Sequence, residues 1–388
     1  MNKKVMRVVA LCLSSIFLSA CSVAEQEANS NTVKGQEQGE AASASAAIGS
    51  TASTDASADH AAESQEPTSE SANSTAEHAT GSMTAENEKT SPAIQEGEQT
   101  SEKKEIEEMS SATVWEQFCN IDARVTGGIL FDQGGNMLVA RPYGLEKVTP
   151  EGEVTTVCDL SELEKGKNYY FSSPFIWDMK YDKENNIIAA AQDRILKITE
   201  DGKVSTLIRE DFSGFLGASG LELDQEGNIY VVSGGKIYRY AADLTKTEYF
   251  STGEYQSFFS IAFRPDFKYL YLTDFYTKAL IKYEINPDGT VGKGTELVRE
   301  PVKNSGDYGA PLNMIFCDNG NMYVSIDGMA HLLKIDQSDK LTLIDMQEPV
   351  RNHIIAFGNE AFGEDLLYFT TYGNKVCKIK LEETITGP

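Results

Sequence analysis

Hydrophobic and polar positions alternate in short runs from residue 112 to the end of the chain. The clearest unit, residues 220–240, contains an alternating segment, an Asp-x-x-Gly-Asn turn, a run of β-branched and aromatic residues, a Gly-Gly turn and a third apolar run. Alternation of this kind between turn residues is typical of β-strands that are joined by tight hairpins. The unit therefore predicts three antiparallel strands.

The same pattern recurs along the chain. Its copies begin at residues 128, 178, 220, 260, 313 and 353, which places them 50, 42, 40, 53 and 40 residues apart. A fourth apolar run lies between successive copies, at residues 154–157, 204–207, 247–250, 295–298 and 341–344. Four short strands every ~40 to 50 residues are the signature of a β-propeller blade.

The sixth copy lacks a fourth strand because the chain ends soon after Leu381, whereas an unused strand-like run at residues 113–118 precedes the first copy. Pairing of this run with the last blade would remove an exposed sheet edge. The sequence therefore predicts an all-β fold. Residues 112–388 would form a single six-bladed β-propeller whose N-terminal strand closes the last blade.

The repeated pattern Gly-φ-x-φ-Asp-x-x-Gly-Asn-φ-Tyr-Val, in which φ is apolar, is best seen at residues 220–231. It resembles the NHL-repeat and gluconolactonase-like (senescence-marker-protein/gluconolactonase) six-bladed propellers over nearly all of residues 112–388. The resemblance implies an architecture rather than an activity, since such propellers include lactonases, other hydrolases, lyases and binding modules. It also implies a ligand site on the face where the loops into the inner strands meet the turns between second and third strands.

Gluconolactonase-like proteins hold a divalent cation on that face with a Glu, two Asn and an Asp at the starts of inner strands. In this chain those positions are mostly small or apolar, and Asp178 and Asn313 are the oxygen ligands that remain. A hard cation such as Ca²⁺ takes about six or more oxygens, so we expect no cofactor and no metal site. If Ca²⁺ or another divalent cation does bind, Asp178 and Asn313 are its candidate ligands. The alternative is a structural role, with Asp178 accepting backbone amides at a strand start and Asn313 forming a turn.

Catalytic motifs are missing from the sequence. It has no nucleophile elbow, phosphate loop or His-Glu-x-x-His motif. His331 and His353 fall toward the predicted ligand face, where either could do acid–base chemistry with Asp178 or Asp327, but no spacing singles out such a pair. We therefore assign no catalytic residue.

That face is expected to combine aromatic and acidic side chains. Aromatic rings suit contact with a glycan, peptide or protein, and neighbouring acids would supply polar contacts. The alternative for about half of the aromatic residues is packing between blades. The candidate ligand-binding residues are Tyr143, Trp177, Asp178, Asp274, Tyr276, Asn313, Asp327, His353 and Tyr372.

Residues 1–20 have the pattern of a secretory signal peptide. Lys3, Lys4 and Arg7 precede an apolar stretch, residues 8–18, that is too short for a permanent membrane span. The Leu-Ser-Ala-Cys run that ends at Cys21 resembles a bacterial lipobox, which implies cleavage before Cys21 and acylation, including palmitate, of the new terminus. The predicted localisation is therefore extracytoplasmic, with Cys21 anchored in membrane lipid. An ordinary signal peptide followed by a chance cysteine is the alternative.

Residues 21–111 comprise Cys21 and a linker rich in Ala, Ser and Glu, without Phe, Tyr or Trp. A segment with so little apolar surface cannot offset the entropy of ordering, so the linker is predicted to be disordered. It carries 18 acidic and 4 basic residues, and the whole chain has a net charge of −25. Such acidity disfavours a nucleic-acid partner, which requires a basic surface.

Four cysteines follow the linker: Cys119, Cys158, Cys317 and Cys377. Cys119 and Cys377 fall in strands that are predicted to pair, so a disulfide could clasp the ring. The alternative, buried free thiols, is preferred.

Together these features predict a membrane-anchored extracytoplasmic β-propeller lipoprotein that acts as a ligand- or protein-binding module. The alternative function is a metal-dependent hydrolase or lactonase of the gluconolactonase-like type.

Overall fold

The computed structural model describes residues 106–109, 115–121, 127–163, 174–213, 216–306, 308–346, 352–371 and 373–381. Two of the predicted residues, Cys21 and Tyr372, lie outside these ranges, as does most of the linker. Of His353 only the backbone is described. The described residues contain no helix with the length and hydrophobicity of a membrane span.

The described residues form 25 β-strands in six sheets. Two N-terminal strands come first: β1 (Ile106–Met109) and β2 (Glu116–Asn120). Blade one contains β3 (Ile129–Phe131), β4 (Met137–Arg141), β5 (Gly144–Val148) and β6 (Val154–Asp159). Blade two contains β7 (Asp178–Tyr181), β8 (Ile187–Ala191), β9 (Arg194–Ile198) and β10 (Val204–Arg209). Blade three contains β11 (Ala218–Leu223), β12 (Ile229–Ser233), β13 (Lys236–Tyr240) and β14 (Lys246–Ser251).

The second half of the ring repeats this arrangement. Blade four contains β15 (Phe258–Phe263), β16 (Tyr269–Asp274), β17 (Ala279–Ile285) and β18 (Val291–Arg299). Blade five contains β19 (Pro311–Phe316), β20 (Met322–Ile326), β21 (His331–Ile335) and β22 (Leu341–Asp345). Blade six contains β23 (Asn352–Phe357), β24 (Leu366–Thr371) and β25 (Lys375–Lys380), and β2 is its fourth strand.

The six sheets close into a ring. The innermost strand of each blade lies beside the innermost strand of the next, and β23 of blade six returns to β3 of blade one. Strand β2 pairs antiparallel with β25, with Glu116 opposite Lys378 and Asn120 opposite Lys375. The predicted all-β propeller with six blades and an N-terminal closing strand is therefore confirmed.

Strand β1 adds a feature that the sequence did not indicate. It pairs parallel with β22 from Ile106 opposite Leu341 to Met109 opposite Ile344, so blade five has a fifth strand. These four residues lie within the range assigned to the linker. The first strand that the structure describes thus lies before the predicted propeller boundary at residue 112.

Asp-x-x-Gly-Asn turns shape the lower ends of blades one and three, and blade two has the close variant Asp182-Lys-Glu-Asn-Asn186. In blade three the Asp224 carboxylate accepts hydrogen bonds from the backbone N–H of Asn228 (2.8 Å) and from its side-chain amide (2.6 Å). Gly227 has a φ of +85°, which glycine adopts without steric cost. The turn therefore fixes the hairpin through its own side chains, which explains why the motif recurs in step with the blades.

Alternate positions of the inner strands build the core between blades. One set is apolar in every blade and at most 6% exposed: Ile129, Met179, Leu221, Ile261, Met314 and Ile355. Burial of each such side chain contributes about 1.5–3 kcal/mol. Gly220, beside Leu221, allows blades three and four to approach closely, because a Cβ there would lie 2.7 Å from the Phe259 carbonyl oxygen.

Cys119, Cys158, Cys317 and Cys377 are free and buried. Burial raises the pKa of Cys119 to about 11 and that of Cys377 to about 12. Their thiols are therefore protonated at neutral pH, and a thiol is a poor nucleophile compared with a thiolate.

Candidate functional site

The turns between second and third strands and the connections into each inner strand lie at one edge of the ring, called the upper face here. This follows from the antiparallel order of each blade. Tyr143 lies in the β4–β5 turn, Tyr276 in the β16–β17 turn and Asp327 in the β20–β21 turn. Asp178 begins β7 at the same edge. The predicted residues that the structure describes thus belong to one face, although they are spread around the ring.

Asp274 and Tyr276 are brought together by a tightly bonded turn. Asp274 is completely buried, and its carboxylate accepts hydrogen bonds from the backbone N–H of Ser257 (2.8 Å) and from both the N–H and hydroxyl of Thr277 (2.9 Å each). The Tyr276 ring packs edge-on against Phe275 with centroids 6.0 Å apart. The turn therefore holds Tyr276 on a rigid support.

Tyr276 is 45% exposed, more than any other large hydrophobic side chain in the part of the chain that the structure describes. Val154 and Leu244 follow at 38% and 39%. A fixed, exposed tyrosine offers a large contact area at low cost in conformational entropy. Its position gives the upper face a candidate anchor for a partner.

Asp178 and Asn313 occupy equivalent positions on opposite sides of the ring. The backbone N–H of Leu221 in blade three donates to Asp178 Oδ2 (3.0 Å), while that of Met179 donates to Oδ1 (2.8 Å). Similarly, the N–H of Ile355 in blade six donates to Asn313 Oδ1 (3.2 Å). Each side chain thus joins its own blade to the next. For Asp178 this matches the structural alternative, in which it accepts backbone amides. Asn313 lies in a strand and not in the turn that its structural alternative assumed.

Trp177 lies inside the protein. It is 5% exposed and packs against Phe175 (ring centroids 4.7 Å apart) and Phe259 (5.8 Å), both of which are also buried. These aromatic residues of the loops into blades two and four therefore belong to the core beneath the upper face. A role for Trp177 in binding would require contacts through its few exposed atoms.

Asp327 and Tyr143 serve the turns in which they lie. Asp327 is 1% exposed, and its backbone N–H donates to the Ala310 carbonyl (2.7 Å). Tyr143 is half-buried with a φ of +69°, and its carbonyl accepts the N–H of Leu160 (2.7 Å). Tyr143 belongs to blade one and Asp327 to blade five, so the two turns lie in different parts of the ring.

Two charged residues near the ring axis were missed by sequence reasoning. Lys180 and Glu222 occupy the same position in the inner strands of blades two and three, and Lys180 Nζ lies 3.4 Å from Glu222 Oε1 and 3.6 Å from Asp178 Oδ1. We call Asp178, Lys180 and Glu222 the axial charge cluster. The sequence does carry a sign of this cluster: blades two and three have a charged residue at an inner-strand position where blade one has Leu130 and blade four has Ala262.

The electrostatics of the axial charge cluster are set by burial. Desolvation raises the pKa of Glu222 to about 7, and the Asp178 carboxylate acts in the same direction, while the Lys180 ammonium opposes both. Desolvation of the Lys180 ammonium lowers its pKa, but the Asp178 and Glu222 carboxylates outweigh this effect and raise the pKa of Lys180 above its usual value. The cluster therefore keeps a cation near the axis, and Glu222 changes charge near neutral pH.

The residues present do not fit the cation of the gluconolactonase-like proteins. The Asp178 oxygens already accept two backbone amides and face an ammonium, and Asn313 is committed to blade six. Within the described ranges, no group of three or more His, Cys, Asp or Glu side chains is placed to hold a metal ion.

No protein-family model matches the chain, and no curated protein matches it in sequence. Solved structures do resemble it. A luciferin-regenerating enzyme superposes with a TM-score of 0.55 at 14% identity, covering 71% of this chain and 98% of its own. A gluconolactonase from Xanthomonas campestris gives 0.53 at 14% identity, with 69% and 88% covered.

The third comparison is with an auxiliary nutrient-binding protein from Bacteroides thetaiotaomicron, at a TM-score of 0.52 and 14% identity, with 68% of this chain and 70% of that chain covered. These proteins share one fold with this chain. The likeness to gluconolactonase-like propellers, inferred from the repeated turns, is confirmed at the level of architecture. At such low identity, activity has to be argued from this chain's own residues.

Proposed function

We propose that this protein is a membrane-anchored extracytoplasmic β-propeller lipoprotein that binds a partner through its upper face. The observation that carries the proposal is Tyr276, an exposed aromatic side chain held by a buried, fully bonded aspartate turn. Exposed aromatic anchors on rigid supports supply much of the energy of protein recognition. Asp178, Asn313, Asp327 and Tyr143 shape the surroundings of this face, and His353 and Tyr372 remain proposed members of it.

The anchor belongs to the proposal as well. The basic start of the chain, the short apolar stretch and the Leu-Ser-Ala-Cys run support acylation of Cys21. Each buried methylene of an acyl chain contributes about 0.8 kcal/mol, so more than one chain gives stable attachment. The long acidic linker would then present the propeller away from the bilayer surface.

A metal-dependent lactonase is the less favoured function. It needs several oxygen ligands with free lone pairs around one point. The candidate ligands Asp178 and Asn313 are engaged by backbone amides on opposite sides of the ring.

The upper face can be tested by photo-crosslinking in the membrane-bound chain. Replacing Tyr276 by p-benzoylphenylalanine should give a discrete cross-linked product on irradiation, whereas the same replacement of Val154, 38% exposed on the outermost strand of blade one, should not. Equal products from the two positions, or none from either, would contradict the proposed surface.

The anchor is tested separately by metabolic labelling with palmitate. The parent chain should incorporate the label, and the Cys21→Ala variant should not. Incorporation by the variant would exclude Cys21 as the lipid-bearing residue.

A further inference from the structure

A second candidate site lies at the opposite edge of the ring, called the lower face here, between blades three and four. It is a cleft of about 900 Å³. Its walls are the β11–β12 turn of blade three and the β15–β16 and β17–β18 turns of blade four. The cleft lies at the far ends of the strands from Tyr276, so it is independent of the proposed upper-face surface.

Aromatic rings line the wall of this cleft. Tyr230 packs edge-on against Tyr249 (ring centroids 5.0 Å apart) and Phe263 (4.9 Å), and Phe263 stacks on Phe267 at 5.5 Å with an interplanar angle of 27°. The tyrosine hydroxyls are held in place: Tyr230 donates to Asp224 Oδ2 (3.1 Å) and Tyr249 to the Gly289 carbonyl (2.9 Å). The result is a preorganised aromatic surface.

Phe267 has an unfavourable backbone conformation. Its φ is +54°, in the left-handed region that bulky residues rarely adopt. The corresponding turn positions of blades one, two, three and five carry residues that tolerate this region: Gly135, Asn185, Gly227 and Gly320. Blade four alone among these five places an aromatic ring there, and the ring lines the cleft. Strain that persists at such a point is a reason to look for function.

The rim of the cleft carries planar hydrogen-bonding groups. Gln225, Glu226, Glu284 and Asn286 are exposed and supply amides and carboxylates, while Lys268 is the basic residue of the lining. Amide and carboxylate groups can accept hydrogen bonds from neighbouring hydroxyls, and amides can also donate. The excess of carboxylates disfavours phosphates and other anions.

We propose that this cleft binds a neutral glycan chain. A sugar ring presents an apolar C–H face that packs on an aromatic ring, and its edge presents hydroxyls that exchange hydrogen bonds with carboxylates and amides. The cleft combines these two surfaces, and its open shape admits a chain rather than an enclosed small molecule. A basic peptide would pair with the carboxylates but would make fewer contacts with the amides and with the flat aromatic wall.

The test uses the full chain purified in a detergent without a sugar headgroup. Calorimetry would measure binding of neutral oligosaccharides: hexamers derived from cellulose, xylan, starch, chitin and β-1,3-glucan. At least one should bind, and Phe267→Gly should weaken that binding at least tenfold. Because glycine suits a positive φ, the urea midpoint of Phe267→Gly should not fall. Glu284→Ala should also weaken binding, and Tyr276→Ser on the upper face should leave it unchanged.

Three results would overturn the proposal. The first is that no oligosaccharide of the panel binds, and the second is that Phe267→Gly binds as well as the parent chain. The third is that hexalysine binds in a salt-sensitive manner while the oligosaccharides do not, which would assign the cleft to a basic peptide. None of these results bears on cross-linking at Tyr276, so the two proposals can fail separately.

Discussion

Glu222 makes the stability of the propeller depend on pH in an unusual direction. Burial raises the pKa of this carboxyl from 4.5 to about 7 in the folded protein. The folded state therefore holds the Glu222 proton more tightly than the unfolded chain does. Its stabilising effect is complete below the unfolded pKa and is lost as the pH rises through about 7.

The size of the effect follows from these two values. Each pKa unit corresponds to about 1.36 kcal/mol. Between pH 5.5 and pH 8 the Glu222 contribution to the free energy of unfolding should fall by about 2 kcal/mol. Carboxyls with lowered pKa values, such as Asp182 and Asp224, are already ionised across this window and contribute little to the slope.

The perturbation is Glu222→Gln, which keeps the shape of the side chain and removes its titration. Relative to the parent chain, the variant should gain about 2 kcal/mol of stability on going from pH 5.5 to pH 8, since it avoids a partly desolvated carboxylate. Urea unfolding followed by tryptophan fluorescence is suitable, because Trp177 is buried in the folded ring. Glu151→Gln, in an exposed turn of blade one, is the matched control.

The reasoning would be refuted if the stabilities of the parent chain and Glu222→Gln ran parallel across this pH range. It would also be refuted if Glu151→Gln produced the same divergence. The first result would mean that Lys180 keeps Glu222 ionised throughout, so that the attraction between the two side chains outweighs burial. The second would mean that the divergence does not come from Glu222.

Three further predictions concern the ring and its thiols. Thr370→Val should lower the free energy of unfolding by about 1–3 kcal/mol, because the Thr370 hydroxyl accepts the Ile354 N–H and donates to the Gly127 carbonyl of blade one; an unchanged urea midpoint would contradict this. A chain that begins at residue 122 lacks β2 and should aggregate, as light scattering would show, whereas a chain that begins at residue 112 should stay soluble. Iodoacetamide should leave Cys119 and Cys377 unmodified in the folded protein at pH 8 and modify both in urea; rapid labelling of the folded chain would disprove their burial.

The architecture could be predicted because its determinants are local. The Asp-x-x-Gly-Asn turns satisfy their own hydrogen bonds, as Asp224 and Asn228 do, so a hairpin with this motif is encoded within a few residues. Closure by β2 followed from counting strands. Strand β1 could not be found in this way, because a parallel strand at an outer edge depends on its partner, β22, and not on its own pattern.

The candidate sites were less predictable for a physical reason. The sequence around Phe175, Trp177 and Phe259 would read the same whether these side chains faced solvent or a neighbouring blade. Only the assembled ring shows that they are buried. The axial charge cluster and the cleft are each formed by residues of two adjacent blades. Residues of adjacent blades that meet in this way are far apart in sequence, so no motif with a fixed spacing reveals them.

Strand β1 also determines how the molecule responds to a pulling force. A load applied through the segment before Ile106 first meets the pairing of β1 with β22, and reaches the closing strand β2 only after that pairing yields. Detachment of β1 frees its four residues, 106–109, which span about 14 Å when fully extended at ~3.5 Å per residue. The outer edge of blade five would thus yield first under load and lengthen the tether, while β2 stays paired with blade six.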